Sequence, residues 1–238
     1  MNLKRVGAIF IKELQDIRTN WNQLFSYIMP IGFAFIYCKL IPQDQLSKGM
    51  GLILGLSSLV TLAGILIPAM MIAEEKEKRT LEVLLLSPAK PGEIFLGKSM
   101  ATFILMIICM FIVLLVDNRN WGNLPIILAS TAAVSTFCIL FGLIAGIFSK
   151  NQMSTGIVSM PLVFLLLMVP MFAIIGVNQL KTVASAMPTY YYLELLRKAI
   201  VDGKGFADSI LEFGVIIGGI IIATIILLAV CRKKGFES

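Results

Sequence analysis

The sequence contains no histidine, which removes the commonest metal ligand and general base. Charged residues are also scarce, at 14% of 238 residues, where soluble domains carry about a quarter. Its four cysteines, Cys38, Cys109, Cys138 and Cys231, stand singly in or beside apolar runs. That spacing argues against a disulfide framework or a metal set and for small buried hydrophobes. No fixed-period repeat and no low-complexity tract interrupts the chain. The apolar runs hold almost no acid or base, which disfavours a proton or sodium relay built from buried carboxylates. No stretch of about 100 polar residues remains that could make a soluble domain.

What is present is hydrophobic sequence, 58% of the chain, with a mean hydropathy of +0.91. A bilayer core needs about 20 apolar residues per helix. The pattern predicts an all-α integral membrane protein, a single transmembrane domain over 1–238. Its six spans fall at about 22–40, 50–73, 100–116, 124–148, 156–177 and 209–230. Residues 1–21 precede them. There Leu3, Val6, Phe10, Leu14, Ile17 and Trp21 recur at helical spacing with charges between. This is an amphipathic helix, with Glu13 on its polar side, lying in the interface and placing Trp21 at headgroup depth. Lys12 and Glu13 break this stretch and make it a poor signal peptide.

Two non-spanning segments stand out. Residues 178–208 hold Pro188 and TYYYLELLRKAI, expected to form short re-entrant or extracellular helices. Tyr190, Tyr191 and Tyr192 there read as an interfacial belt, and Glu194 with Arg197 as a surface pair. Lys39 and Glu212, near span ends, are expected to snorkel. Residues 74–98 form the longest charged run. With the N-terminus inside, thirteen lysines and arginines fall on the inner face and seven on the outer. That count orients both termini and the 74–98 run to the cytoplasm of a multi-pass protein of the cell membrane. The net charge of +6 thus has a membrane explanation, and no nucleic-acid partner is expected.

Two motifs lie in that run. Gly92 to Ser99, GEIFLGKS, matches the phosphate-loop expression. It follows SPAKP rather than a strand and leads into a span, so it reads as coincidence, and no nucleotide is expected on this chain. Upstream, Glu75 to Pro88 reads EKEKRTLEVLLLSP, a charged helix with an apolar face of Leu81, Leu84 and Leu85, stopped by Pro88. The pattern E-K-E-x-x-T-L-E-x-L-L-x-x-P resembles the hinge of membrane subunits of ABC-2 type transporters. The order of elements resembles that family over essentially the whole chain.

The resemblance implies a cytoplasmic coupling helix seated in a cleft of a separate ATP-binding cassette subunit. It implies two such subunits, which bind ATP and Mg, and a second permease subunit, identical or homologous. The matching positions are Glu75, Glu77, Thr80, Leu81, Glu82, Leu84, Leu85 and Pro88, with the acids expected to pair with bases on the partner. The N-terminal helix, carrying Phe10, Glu13, Leu14, Ile17 and Trp21, would lie against the same subunit. This chain would then be a non-catalytic permease of an exporter of hydrophobic or amphipathic cargo such as a peptide, toxin or drug. Met160, Met168 and Met171 of the fifth span are its candidate translocation path, because methionine surfaces adapt to apolar ligands. Export of sodium, glycan or lipid by the same family, or an ATP-independent channel or carrier, are the alternatives.

Overall fold

A computed structural model describes residues 3–41, 49–80, 91–117, 123–203 and 205–233, all in helices and short connections. Helix α1 spans Leu3–Thr19. Helix α2, Trp21–Phe35, continues through a π-turn at Ile36–Leu40. Helix α3, Met50–Ser58, runs through a second π-turn, Leu59–Ala63, into α4, Gly64–Glu77. Then follow α5 (Pro91–Asp117), α6 (Leu124–Phe148), α7 (Gln152–Ile175), the short α8 (Asn178–Ala184), α9 (Pro188–Ile200) and α10 (Ile210–Lys233). Among the described residues, six helices, with α3 and α4 taken together, are long and apolar enough to cross a membrane. Helix is the form such segments take, because hydrocarbon offers their backbone groups no other partner.

The α3–α4 rod is the centre of the bundle. Of its most apolar window 94% is buried, against 33% for α7 and 22% for α10. Helix α6 approaches α4 closely because small residues line the crossing. A Cβ on Gly142 would stand 2.5 Å from the Ile65 carbonyl oxygen, and one on Gly146 would stand 2.9 Å from that of Ala69. Hydroxyls inside the rod are satisfied locally: Ser57 Oγ donates to Ile53 O at 2.6 Å, and Thr61 Oγ1 to Ser57 O at 2.7 Å. Alternation of the spans brings the chain's first and last helices to one end of the bundle. Ile72, Leu143, Ile147, Leu227 and Cys231 form a small apolar cluster there. Cys109 and Cys138 are also buried, and all four cysteines are free thiols.

Four expectations change. The 74–98 run is not one polar hinge: α4 extends through Glu77 and α5 starts at Pro91, nine residues before the expected 100. Nor does one helix run from Glu75 to Pro88. The Lys78 amide closes α4 on Glu74 O at 2.9 Å, and Arg79 turns left-handed at φ 54°, a stop that suits a helix end. At the far end, the tyrosine belt gives way to packing. Tyr192 is 1% exposed and its hydroxyl lies 3.0 Å from Thr131 Oγ1, while Tyr190 is also buried. Pro188 opens α9 against Gly219, where a Cβ would come within 2.3 Å of its ring. Helix α9 therefore seats against α6, α7 and α10. Glu194 and Arg197 do pair, at 3.7 Å. Glu212 does not snorkel; it is buried and bound by Lys198 at 2.5 Å.

Candidate functional site

The last turn of α4, Glu74-Glu75-Lys76-Glu77, turns about 100° per residue, so its four side chains leave in four directions. Each finds a different element. Glu74 accepts from Asn20 Nδ2 at 3.0 Å and Gln23 Nε2 at 3.1 Å, at the α1–α2 junction. Glu75 pairs with Lys98 of α5 at 2.9 Å and with Lys12 of α1 at 3.2 Å. Lys76 Nζ donates to the carbonyls of Gly146 and Ser149, each at 3.0 Å, and to that of Ile147. Glu77 Oε2 accepts from the backbone amide of Gln152, which opens α7, at 3.0 Å.

Around Glu75 the charges are withdrawn from solvent. Lys98 is 1% exposed and bridges Glu75 to Glu13, 2.7 Å away on α1. Lys12 lies 3.5 Å from Glu13 and 3.6 Å from Asp16. Partial burial pulls the Lys12 ammonium down, but Glu13 and Glu75 outweigh it and hold its pKa above the usual lysine range. At the edge, the Glu74 carboxylate bonded to Lys78 at 2.6 Å raises the Lys78 pKa likewise. Helix α1 can approach α5 this closely because Gly97 leaves room: a Cβ there would stand 2.7 Å from an Ile9 methyl. Arg5 adds a longer pair to buried Glu93, at 3.9 Å. A cavity of about 210 Å³ opens among Lys12, Glu13, Glu74, Glu75, Thr80 and Lys98.

The residues singled out in the sequence divide on this frame. Glu75 is buried and already paired within the chain, so it does not face outward; Glu77 is exposed but engages the α7 amide. Thr80 is exposed, its hydroxyl 3.3 Å from Glu75 O. Leu81, Glu82, Leu84, Leu85 and Pro88 lie outside the described residues. On α1, Ile17 and Glu13 are buried and Phe10 and Leu14 pack half-buried on the main core; Trp21, expected at the end of that helix, instead opens α2 and is 80% exposed. Leu3, at the other end of the expected apolar stripe, is exposed as well. Gly92 to Ser99 is helical, and its lysine is the buried bridge just described.

The three methionines separate too. Met168 and Met171 line an apolar groove of about 270 Å³ between α7 and the Phe33, Tyr37 and Leu54 side chains of α2 and α3. Met160 is half exposed and is not part of that lining. Sequence reasoning missed Lys98 and Lys76. For Lys98 the signal was present, since a base at the mouth of an apolar run must find a counter-charge or carbonyls; Lys76, set among Glu74, Glu75 and Glu77, carried none.

The profile of the ABC-2 family transporter proteins matches residues 41–231, from the close of the first span nearly to the end of the last. The chain belongs to this family. No curated protein matches it. It is thus the permease subunit of an ABC transporter, a multi-pass membrane component, and membership implies an ATP-binding subunit as its partner. Among the described residues, the permease carries a polar rim at the end of α4 and an apolar methionine groove between α2, α3 and α7.

Proposed function

We propose that the permease exports a hydrophobic or amphipathic cargo, energised by a separate ATP-binding cassette subunit docked on residues 80–88. Both termini and the rim of α4 face the cytoplasm, and the membrane is the cell membrane. Two ATP-binding subunits, which hold ATP and Mg, serve a pair of permeases. Leu84 and Leu85 supply burial at the docking surface, each about 1.5–3 kcal/mol if fully covered. Thr80, Leu81, Glu82 and Pro88 set its orientation and its end. The N-terminal helix rests beside it.

The observation that carries the choice of cargo is the groove. Its walls are mainly aromatic rings, aliphatic side chains and the Met168 and Met171 thioethers, with Ser58 among them, a lining suited to apolar molecules of varied shape. A small hydrated ion would lose its shell there without compensation.

Co-purification from the native membrane tests the reading. The wild-type permease brings down an ATPase, and Leu84→Asp with Glu82→Lys releases it or uncouples its hydrolysis from transport. Recovery of the permease alone, active and indifferent to nucleotide, would overturn it.

A further inference from the structure

Lys76 and Glu77 are neighbours in sequence with opposite charge, and they hold the two ends of one turn. Lys76 reaches the carbonyls of Gly146, Ile147 and Ser149, at the end of α6 where its carbonyls point out of the helix and its dipole is negative. Glu77 takes the Gln152 amide, where α7 begins and its dipole is positive. Each charge sits at the helix end that favours it.

The turn between them is stiff. Asn151 Oδ1 accepts from the Ser154 amide at 2.8 Å, and Ser154 Oγ accepts from the amides of Asn151 at 3.0 Å and Lys150 at 2.9 Å. Ser149 Oγ donates to Ala145 O at 2.9 Å. A displacement of the end of α4 therefore cannot be absorbed in residues 149–152 and passes into α7. Helix α7 is lightly held elsewhere, with a third of its apolar window buried. About 24 Å along the same helix, sixteen residues at 1.5 Å each, Met168 stands in the stretch from Leu167 to Ile175 that walls the groove.

We propose that Lys76 and Glu77 are positioning residues that yoke α7 to the end of α4, making α7 the driven wall of the methionine groove. The proposal rests on the reading that an ATP-binding subunit pushes on the segment after Arg79. It adds which span receives the push and through which bonds. Glu77, in the hinge motif, then works inward on α7 rather than outward on the partner.

The test uses the permease co-purified with its ATP-binding subunit in lipid nanodiscs. The background is Cys38→Ser with Met168→Cys, and the readout is the ratio of maleimide labelling rates with and without a non-hydrolysable ATP analogue. Glu77→Ala and Lys76→Met are expected to retain the ATP-binding subunit yet shrink that ratio by about 2- to 30-fold, the range for substitutions along a coupling network. Lys76→Arg, which still donates to carbonyls, and Glu77→Gln, which keeps an acceptor oxygen, are expected to keep most of it. A purely structural role would lower melting temperature and leave the ratio unchanged. Glu77 is exposed, so Glu77→Ala decides the matter even where Lys76→Met misfolds.

An undiminished ratio in Glu77→Ala overturns the yoke. So does release of the ATP-binding subunit by both variants, which would make these residues docking contacts. A wild-type complex whose Met168→Cys labelling ignores nucleotide overturns the yoke and leaves docking standing. A wild-type permease that carries no ATP-binding subunit overturns the docking reading itself, and the yoke with it.

Discussion

Lys98 Nζ lies 2.9 Å from Glu75 Oε1, with the two side chains 1% and 6% exposed. The pair joins the end of α4 to the start of α5 across the segment that separates them. Glu13, 2.7 Å from the same ammonium, brings α1 into the joint. Three elements that meet the termini-bearing surface are thus pinned by one cation.

Removing that cation should cost more than removing either acid. Lys98→Met leaves Glu13 and Glu75 buried at the joint with only the half-exposed Lys12 for company. Breaking a buried pair from one side typically costs about 3–5 kcal/mol. Glu75→Gln leaves Lys98 still bound to Glu13 and should destabilise less. The triple variant Glu13→Gln, Glu75→Gln, Lys98→Met should be more stable than Lys98→Met alone, since no charge is then stranded. Melting temperatures in detergent check the ranking, and a triple variant melting below Lys98→Met would contradict it.

Gly142→Ala should destabilise by about 1–3 kcal/mol, the usual cost of overpacking. The new methyl would stand 2.5 Å from the Ile65 carbonyl oxygen, and backbone cannot step aside as a side-chain end can. Gly156→Ala is the control, because nothing lies within 4 Å of its Cβ position. Equal thermal stability of the two variants would refute the close α4–α6 crossing.

The bundle was legible because period and length settle it: runs of about 20 apolar residues have one stable form in lipid. The fourth span, Leu124–Phe148, falls at the expected 124–148. Ends were legible only where a break in hydropathy coincides with a break in helix. It does not at Glu74–Glu77 or Pro91–Lys98, where charged turns continue apolar helices because neighbouring helices supply their partners. Tyr192 was misread for a related reason. A tyrosine at an interface and a tyrosine bonded to Thr131 in the core look alike until the partner helix is in view. Of the rim, Glu75 and Glu77 were singled out but their partners were not, since local sequence does not say that Lys98, Lys12 and the α7 amide wait around them.

The pH dependence of α1 docking follows from Lys12. Its folded pKa lies above the ordinary value of 10.5, so the ammonium is favoured by folding. That contribution is fully present below the unfolded pKa and disappears as pH rises through the folded one. The melting-temperature gap between wild type and Lys12→Gln should therefore stay constant from about pH 7 to 9.5 and close above about pH 10.5. A gap that closes near neutrality would show that another group controls the joint.

The groove makes a sharper demand on the methionines, which look equivalent in the sequence. Met168 faces the cavity among Leu167, Met171 and Phe172, whereas Met160 turns to the outside of the bundle. Met168→Trp adds bulk to a space of about 270 Å³, comparable to the smallest drug-sized pockets of about 300 Å³, and should obstruct cargo. Transport should fall at least about tenfold, the loss expected when about 1.4 kcal/mol of binding is removed, while the ATP-binding subunit still co-purifies. Met160→Trp, placed where lipid already meets a long side chain, should transport as wild type does. Transport assayed in membrane vesicles distinguishes the outcomes. If Met160→Trp blocks and Met168→Trp does not, cargo passes along the outer face of α7 and the groove is only a packing gap between α2, α3 and α7.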